Sequence, residues 1–216
     1  TLTSGATLVL RTEEMISPQV LADNVTKYNI SVLDLPTAYW RTLLEGGCLE
    51  QMSNSLRLII IGGEALYRED LIKWSSKEIS TQLANTYGPT ETTVVSHAAY
   101  VCTNQSVPIG RPLKGYISQV LNNNMKPVYP GMKGELYTGG RSVAKGYCNN
   151  EELTDLNFIC LESNQKFYKT GDLVASDIEG NLYYLGRNDG QLKIRGYRVE
   201  KADVEHRLKR VEGVKE

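Results

Sequence analysis

The sequence predicts an α/β fold that gives way to an antiparallel β region, and two observations carry that reading. Apolar runs of strand length alternate with helical stripes over roughly the first 80 residues. Beyond residue about 100 the segments shorten and are punctuated by Gly, Pro and Asn at close spacing. With 216 residues, 41% hydrophobic and 23% charged, the chain has the apolar material for a substantial core.

The elements follow in order. Leu8–Leu10 in TLTSGATLVL reads as a strand after Gly5, and TSGAT at 3–7 lacks the GK[ST] that would make it a phosphate loop. Ser17 and Pro18 are an N-cap and a first helical residue, and Leu21, Val25 and Tyr28 follow at helical spacing, so a helix is expected over 18–28. ISVLDLP (30–36) reads as a buried strand stopped by Pro36, with TAYWRTLLE returning as a helix. The pair repeats: the apolar run 58–61 in LRLIIIGGEAL reads as a parallel strand with a GlyGly exit, and REDLIKWSSKEI as its helix. VPIGRP, GYISQVL, GELYTGG and GNLYYLGR predict an antiparallel, barrel-like β region. Finally QLKIRGYRVE alternates, and KADVEHRLKRVEG sets Val204, Leu208 and Val211 on one helical stripe with Gly213 as a C-cap.

Composition excludes several function classes. The formal charge of -1, from 24 basic and 25 acidic residues, supplies no global field for nucleic acid or an anionic membrane. Cys48, Cys102, Cys148 and Cys160 form no CxxC pair and read as reduced thiols; His97 and His206 stand alone and read as solvated or packing histidines. No signal peptide and no run of ~18 apolar residues is present, so a cytoplasmic location is the expectation.

Four stretches carry ligand-binding chemistry. NTYGPTETT (85–93) suits neither a helix nor a strand, and it falls, like GGE (62–64), where an α/β strand ends, the edge at which such sheets bind ligands. A Tyr ring can stack on a heterocycle, an Asn amide can pair with its edge, and Glu91 can hold a hard cation; an Asx-type turn shaped by Pro89 remains equally open on these residues alone. In YKTGDL (168–173) Asp172 can accept hydrogen bonds from vicinal hydroxyls, or be a plain turn aspartate. GRNDGQLKIRGYR (186–198) mixes Arg187, Lys193, Arg195 and Arg198 with three glycines, which suits either phosphate contact or a solvated basic strand.

LIIIGGEAL, NTYGPTETT, IGRP, GELYTGGRSVAKGY, YKTGDL and GRNDGQLKIRGYRVE together, in this order, resemble the core motifs of the adenylate-forming superfamily over the whole chain. YGPTETT with KIRGYRVE is most similar to the amino-acid adenylation domains of nonribosomal peptide synthetases. An acyl-CoA or aryl-acid ligase of the same superfamily, or a non-catalytic nucleotide-binding remnant, is the alternative reading.

The resemblance implies an internal fragment, inactive alone: part of a large α/β core (1–100), its β-barrel subdomain (101–187), and the hinge and start of a small α+β C-terminal lid (188–216). It implies ATP-dependent activation of an amino acid as aminoacyl-AMP with release of pyrophosphate, using Mg²⁺. It also implies delivery to the phosphopantetheine of a partner carrier domain, beside a condensation domain, with no nucleic-acid or membrane partner. Position by position, Tyr87 stacks on adenine, Asn85 pairs with its exocyclic amine, and Gly63 and Glu64 line the purine pocket. Thr90 touches phosphate, Glu91 coordinates Mg²⁺, Asp172 holds the ribose hydroxyls, Arg187 and Tyr184 contact the nucleotide, and Asp189 is the hinge. The amino-acid pocket is lined by Asp34, Ile60, Gly62, Thr86, Val94 and Val95, where a lone carboxylate favours a basic side chain. The chain departs from the family in AKGY (144–147) and EKADVE (200–205).

Overall fold

The computed structural model describes residues 2–52, 54–77, 79–101, 106–161, 165–188, 192–194, 197–199, 201–208 and 210–211. Two sheets organise the fold. In the first, β1 (Val32–Pro36), β2 (Leu58–Gly62) and β3 (Gln82–Tyr87) run parallel, and β4 (His97–Tyr100) and β5 (Arg111–Pro112) add antiparallel at one edge. The parallel crossovers carry helices: α1 (Pro18–Lys27) precedes β1, α2 (Thr37–Glu45) and α3 (Cys48–Met52) link β1 to β2, and α4 (Arg68–Ser75) links β2 to β3.

Period-two alternation divides this sheet. Leu33, Ile59, Ile61 and Leu83 turn to one face and meet Trp40, Leu43, Leu44, Leu49 and Trp74 in the main core. Asp34, Ile60, Gly62 and Thr86 turn to the other, Asp34 in register with Ile60 and Gly62 with Thr86. The apolar run of β2 is therefore not buried evenly: Ile59 and Ile61 are buried, while Ile60 is half-buried.

The turn-rich second half forms antiparallel ladders. β6 (Tyr116–Leu121), β7 (Gly134–Gly140), β9 (Lys166–Ser176) and β10 (Leu182–Arg187) pair in the order β10-β9-β7-β6, with β8 (Phe158–Cys160) on β9 and α5 (Glu151–Asn157) before it. Gly110 bridges to Leu182, tying the two sheets together. A hairpin of β11 (Leu192–Ile194) and β12 (Tyr197–Val199) and helix α6 (Lys201–Leu208) close the described chain. Val204 and Leu208 lie on α6 and Val211 beyond it; Gly213 lies outside the described residues.

Three sequence expectations need correction. Leu8–Leu10 forms no strand: it pairs with no neighbour among the described residues, and Leu8 and Leu10 are exposed, because an apolar run becomes a strand only where a ladder receives it. The helix after β2 stops at Ser75 instead of reaching Ile79. The motif at 85–93 is not wholly irregular, since Asn85, Thr86 and Tyr87 are strand residues. Their polar side chains are accommodated by backbone carbonyls, Asn85 Nδ2 donating to Pro108 O at 2.8 Å and Thr86 Oγ1 to Ile61 O at 2.8 Å.

Candidate functional site

Two cavities open at the carboxyl ends of β1–β3, the edge where an α/β sheet offers its ligand site. One, of about 310 Å³, lies on the helix side and takes walls from both sheets. Asn85 and Tyr87 from β3, Gly63 and Glu64 after β2, and Asp172, Tyr184 and Arg187 from β9 and β10 all line it. The second, of about 520 Å³, is lined by Asp34, Gly62, Thr86, Thr90, Val94 and Val95 among others. The cavities share Gly63, Glu64, Thr86, Gly88, Asp172 and Arg187.

Asp172 is delivered by a bulge. Between the pairs Lys169–Tyr137 and Leu173–Glu135, β9 carries Thr170, Gly171 and Asp172 against the single residue Leu136. Gly171 takes φ +73, a left-handed setting that glycine adopts without penalty. Thr170 Oγ1 donates to Leu136 O at 2.8 Å and accepts from Asp172 N at 3.0 Å, while Gly171 N donates to Glu135 Oε1 at 3.1 Å. Asp172 is thereby buried with both oxygens engaged: Oδ1 accepts from Arg187 Nη1 at 2.7 Å, and Oδ2 from the Tyr87 hydroxyl. Burial, and then the Asp172 charge, push the Tyr87 phenol well above its ordinary pKa, so it remains a donor. Its ring meets His97 edge-on at 5.5 Å.

Asn85 is 3% exposed. With Nδ2 committed to Pro108, its Oδ1 is a buried acceptor without a hydrogen-bond partner among the described residues. Such an atom costs ~1–3 kcal/mol until a donor reaches it.

The turn Thr90–Thr92 follows β3. Thr90 is exposed on the second cavity, whereas Glu91 is 6% exposed and its Oε1 accepts from the Tyr147 hydroxyl at 2.7 Å. Beyond it Thr93 and Val94 both have positive φ, 58° and 66°, a strained setting for β-branched residues. Thr93 Oγ1 anchors the strain by donating to Ser142 O at 2.7 Å.

Asp34 differs from the enclosed carboxylate that the sequence suggested: it is exposed at the second cavity, though partial burial still raises its pKa. Ile60 stands one row back from the strand ends, in register with Asp34. Asp189 lies outside the described residues.

The sequence reading missed Arg41, Tyr67, Tyr147 and Tyr168. Arg41 lines the first cavity, bonded to Asp70 at 2.9 Å, to Glu64 at 3.4 Å and to Ala65 O at 2.5 Å, with Tyr67 over its guanidinium. A signal was available: Arg41 sits four after Thr37 and three before Leu44, both buried, and a charge on the apolar face of a helix requires partners. Among the described residues no group of three or more His, Cys, Asp or Glu side chains is placed to hold a metal ion, and no helix is long and apolar enough to cross a membrane.

Known proteins share this sequence and architecture. Bacitracin synthase 3 of Bacillus licheniformis is 38% identical over 218 residues, covering 100% of this chain and 3% of that protein. Dapdiamide synthesis protein DdaD of Enterobacter agglomerans is 39% identical over 202 residues, covering 92% of this chain and 34% of that one. The chain thus spans a minor part of each relative. The structure of holo-PA1221, a nonribosomal peptide synthetase protein containing adenylation and PCP domains bound to a vinylsulfonamide inhibitor, superposes with TM-score 0.83 at 27% identity over 90% of this chain and 35% of that one. A family profile described as AMP-binding enzyme matches residues 1–148, more than half of the chain, which therefore belongs to the AMP-binding enzyme family.

Proposed function

We propose that the chain supplies the nucleotide wall and part of the amino-acid pocket of an adenylation site in nonribosomal peptide synthesis. In that reaction a carboxylate oxygen of the amino acid attacks the α-phosphorus of ATP, the bond to the bridging oxygen breaks, and pyrophosphate leaves. The thiol of a carrier domain's phosphopantetheine then attacks the acyl carbon of the adenylate, the bond to the phosphate oxygen breaks and AMP leaves, with a condensation domain downstream in the use of the thioester. Such chemistry calls for alignment and charge neutralisation more than for an acid or base.

The observation that carries this reading is the orphaned acceptor Asn85 Oδ1 in a cavity that also holds Tyr87, Asp172 and Arg187. An adenine exocyclic amine would supply the missing donor. Tyr87 offers its ring to the base, Gly63 and Glu64 enclose it, and Asp172, already oriented by Tyr87 and Arg187, has lone pairs left for ribose hydroxyls. Tyr184 and Arg187 guard the nucleotide from the second sheet, and Thr90 faces phosphate. A single carboxylate, Glu91, is a hard oxygen ligand of the kind that fits Mg²⁺, which takes one or two carboxylates and completes its shell with water and phosphate oxygens. When bound, the metal supplies positive charge against the phosphate oxygens.

The second cavity would hold the amino acid, with Asp34, Ile60, Gly62, Thr86, Val94 and Val95 about its side chain and Asp34 favouring a basic one. The division into an α/β core (1–100), a β subdomain (101–187) and a lid beginning at 188 with Asp189 as hinge belongs to the same proposal. Amino-acid-dependent exchange of pyrophosphate into ATP by the native gene product tests the reaction. Calorimetric titration with AMP tests the cavity: Asn85→Leu should abolish AMP binding, and undiminished binding would overturn the assignment.

A further inference from the structure

We propose that Tyr147 is the positioning residue for Glu91, holding its carboxylate in the setting that receives the metal; this rests on the reading of Glu91 as the metal-binding group. The turn that carries Glu91 is fastened to residues 142–147 at three points. Ala144 N donates to Glu91 O at 2.8 Å, Thr93 Oγ1 to Ser142 O at 2.7 Å, and the Tyr147 hydroxyl to Glu91 Oε1 at 2.7 Å. The first two bonds hold the backbone of the turn, and the third reaches the carboxylate itself, the group that would meet the metal.

The phenol is itself held. Its ring packs edge-on against Phe158 at 5.4 Å, and Phe158 packs on Tyr168 at 5.1 Å, a residue that lines the second cavity. Tyr147 N donates to Thr154 Oγ1 at 2.9 Å. Gly146 permits that approach, because a Cβ there would stand 2.5 Å from Thr154 Cγ2. The AKGY stretch thus acquires a purpose: glycine lets the backbone pass α5, and tyrosine reaches across to Glu91. A carboxylate that ligates a metal is commonly fixed by an outer hydrogen bond of this kind, and losing the partner weakens metal binding about 10–100-fold.

The test uses the native gene product with a non-hydrolysable ATP analogue, titrated with Mn²⁺ and followed by electron paramagnetic resonance, alongside thermal melts. Tyr147→Phe should weaken Mn²⁺ binding about tenfold with the melting temperature preserved. Glu91→Gln should weaken it at least as far, and the double variant no further than Glu91→Gln alone, the non-additivity expected of two groups acting through one. Phe158→Leu, which loosens the same packing but keeps the phenol, should lower the melting temperature and weaken Mn²⁺ binding by less than Tyr147→Phe does. Wild-type affinity in Tyr147→Phe beside a weakened Glu91→Gln, additive losses in the double variant, or equal losses in Phe158→Leu would overturn the role of Tyr147. Unchanged affinity in Glu91→Gln would overturn the metal reading and this inference with it.

Discussion

Asp172 and Arg187 face each other across β9 and β10 and are joined at 2.7 Å with side chains only 6% and 10% exposed. The cavity thus holds a near-buried ion pair whose negative end is also gripped by Tyr87. Removing one partner strands the other charge away from water. Arg187→Met should destabilise the protein by about 3 kcal/mol in denaturant titrations. A loss below about 1 kcal/mol would mean that water screens the pair.

On the proposed roles, Asp172 and Glu91 should fail differently. Ribose contacts persist from ground state to transition state, so Asp172→Ala should chiefly raise KM for ATP. The metal meets charge that shifts during the reaction, so Glu91→Ala should chiefly lower kcat. Steady-state kinetics of the native gene product decide, and identical signatures in the two variants would count against the assignment.

His97 makes stability pH-dependent. It is fully buried between Ser96 and Ser118, whose hydroxyls lie 2.8 and 2.5 Å from its ring nitrogens, and burial lowers its pKa from 6.5 to about 4. Between those values the unfolded chain binds more protons than the folded one. Stability therefore rises with pH across the window and is lost as pH falls from 6.5 toward 4. The loss attributable to His97 is about 3 kcal/mol. Denaturant titrations at both ends of the window should show that part of the slope vanish in His97→Gln.

Asp34 opens onto the second cavity as an exposed carboxylate, so its attraction for a cationic substrate is partly screened. Asp34→Ala should weaken activation of lysine, ornithine or arginine by ~1–2 kcal/mol, less than a fully buried pair would lose. Exchange assays across the amino acids check this, and a preference for aromatic or aliphatic substrates that survives Asp34→Ala would refute it.

Gly62 of β2 sits in register with Thr86 of β3 and leaves no room for a side chain. A Cβ there would lie 2.3 Å from Thr86 Oγ1 and 3.0 Å from Thr86 O. Gly62→Ala should cost about 1–3 kcal/mol, with Thr86→Ala restoring part of it, since the hydroxyl contact disappears and the carbonyl contact stays.

Much of this was legible because it is local. Helical spacing after Ser17–Pro18 marked α1, and the apolar run before Gly62 marked β2. The loop chemistry of 85–91 and 168–173 pointed to residues that gather at one cavity. What stayed hidden depends on distant partners. Nothing near Tyr147 announces Glu91, 56 residues earlier, and nothing near Asp172 announces that Tyr87 and Arg187 will occupy its oxygens. Leu8–Leu10 failed for the same reason in reverse: the pattern was a strand's, and no ladder received it.

The alternation of β3 has an evolutionary corollary. Asn85 and Tyr87 turn toward the nucleotide side of the sheet and Thr86 between them toward the amino-acid side, where Gly62 and Asp34 also point. On the proposed roles, substitutions at Asp34 can retune which substrate is chosen, while Asn85 and Tyr87 keep the shared fuel. A lineage could thus diversify its products by point substitution without renegotiating its energy source, provided that the strand register holds, because a slip of one residue would exchange the two sets.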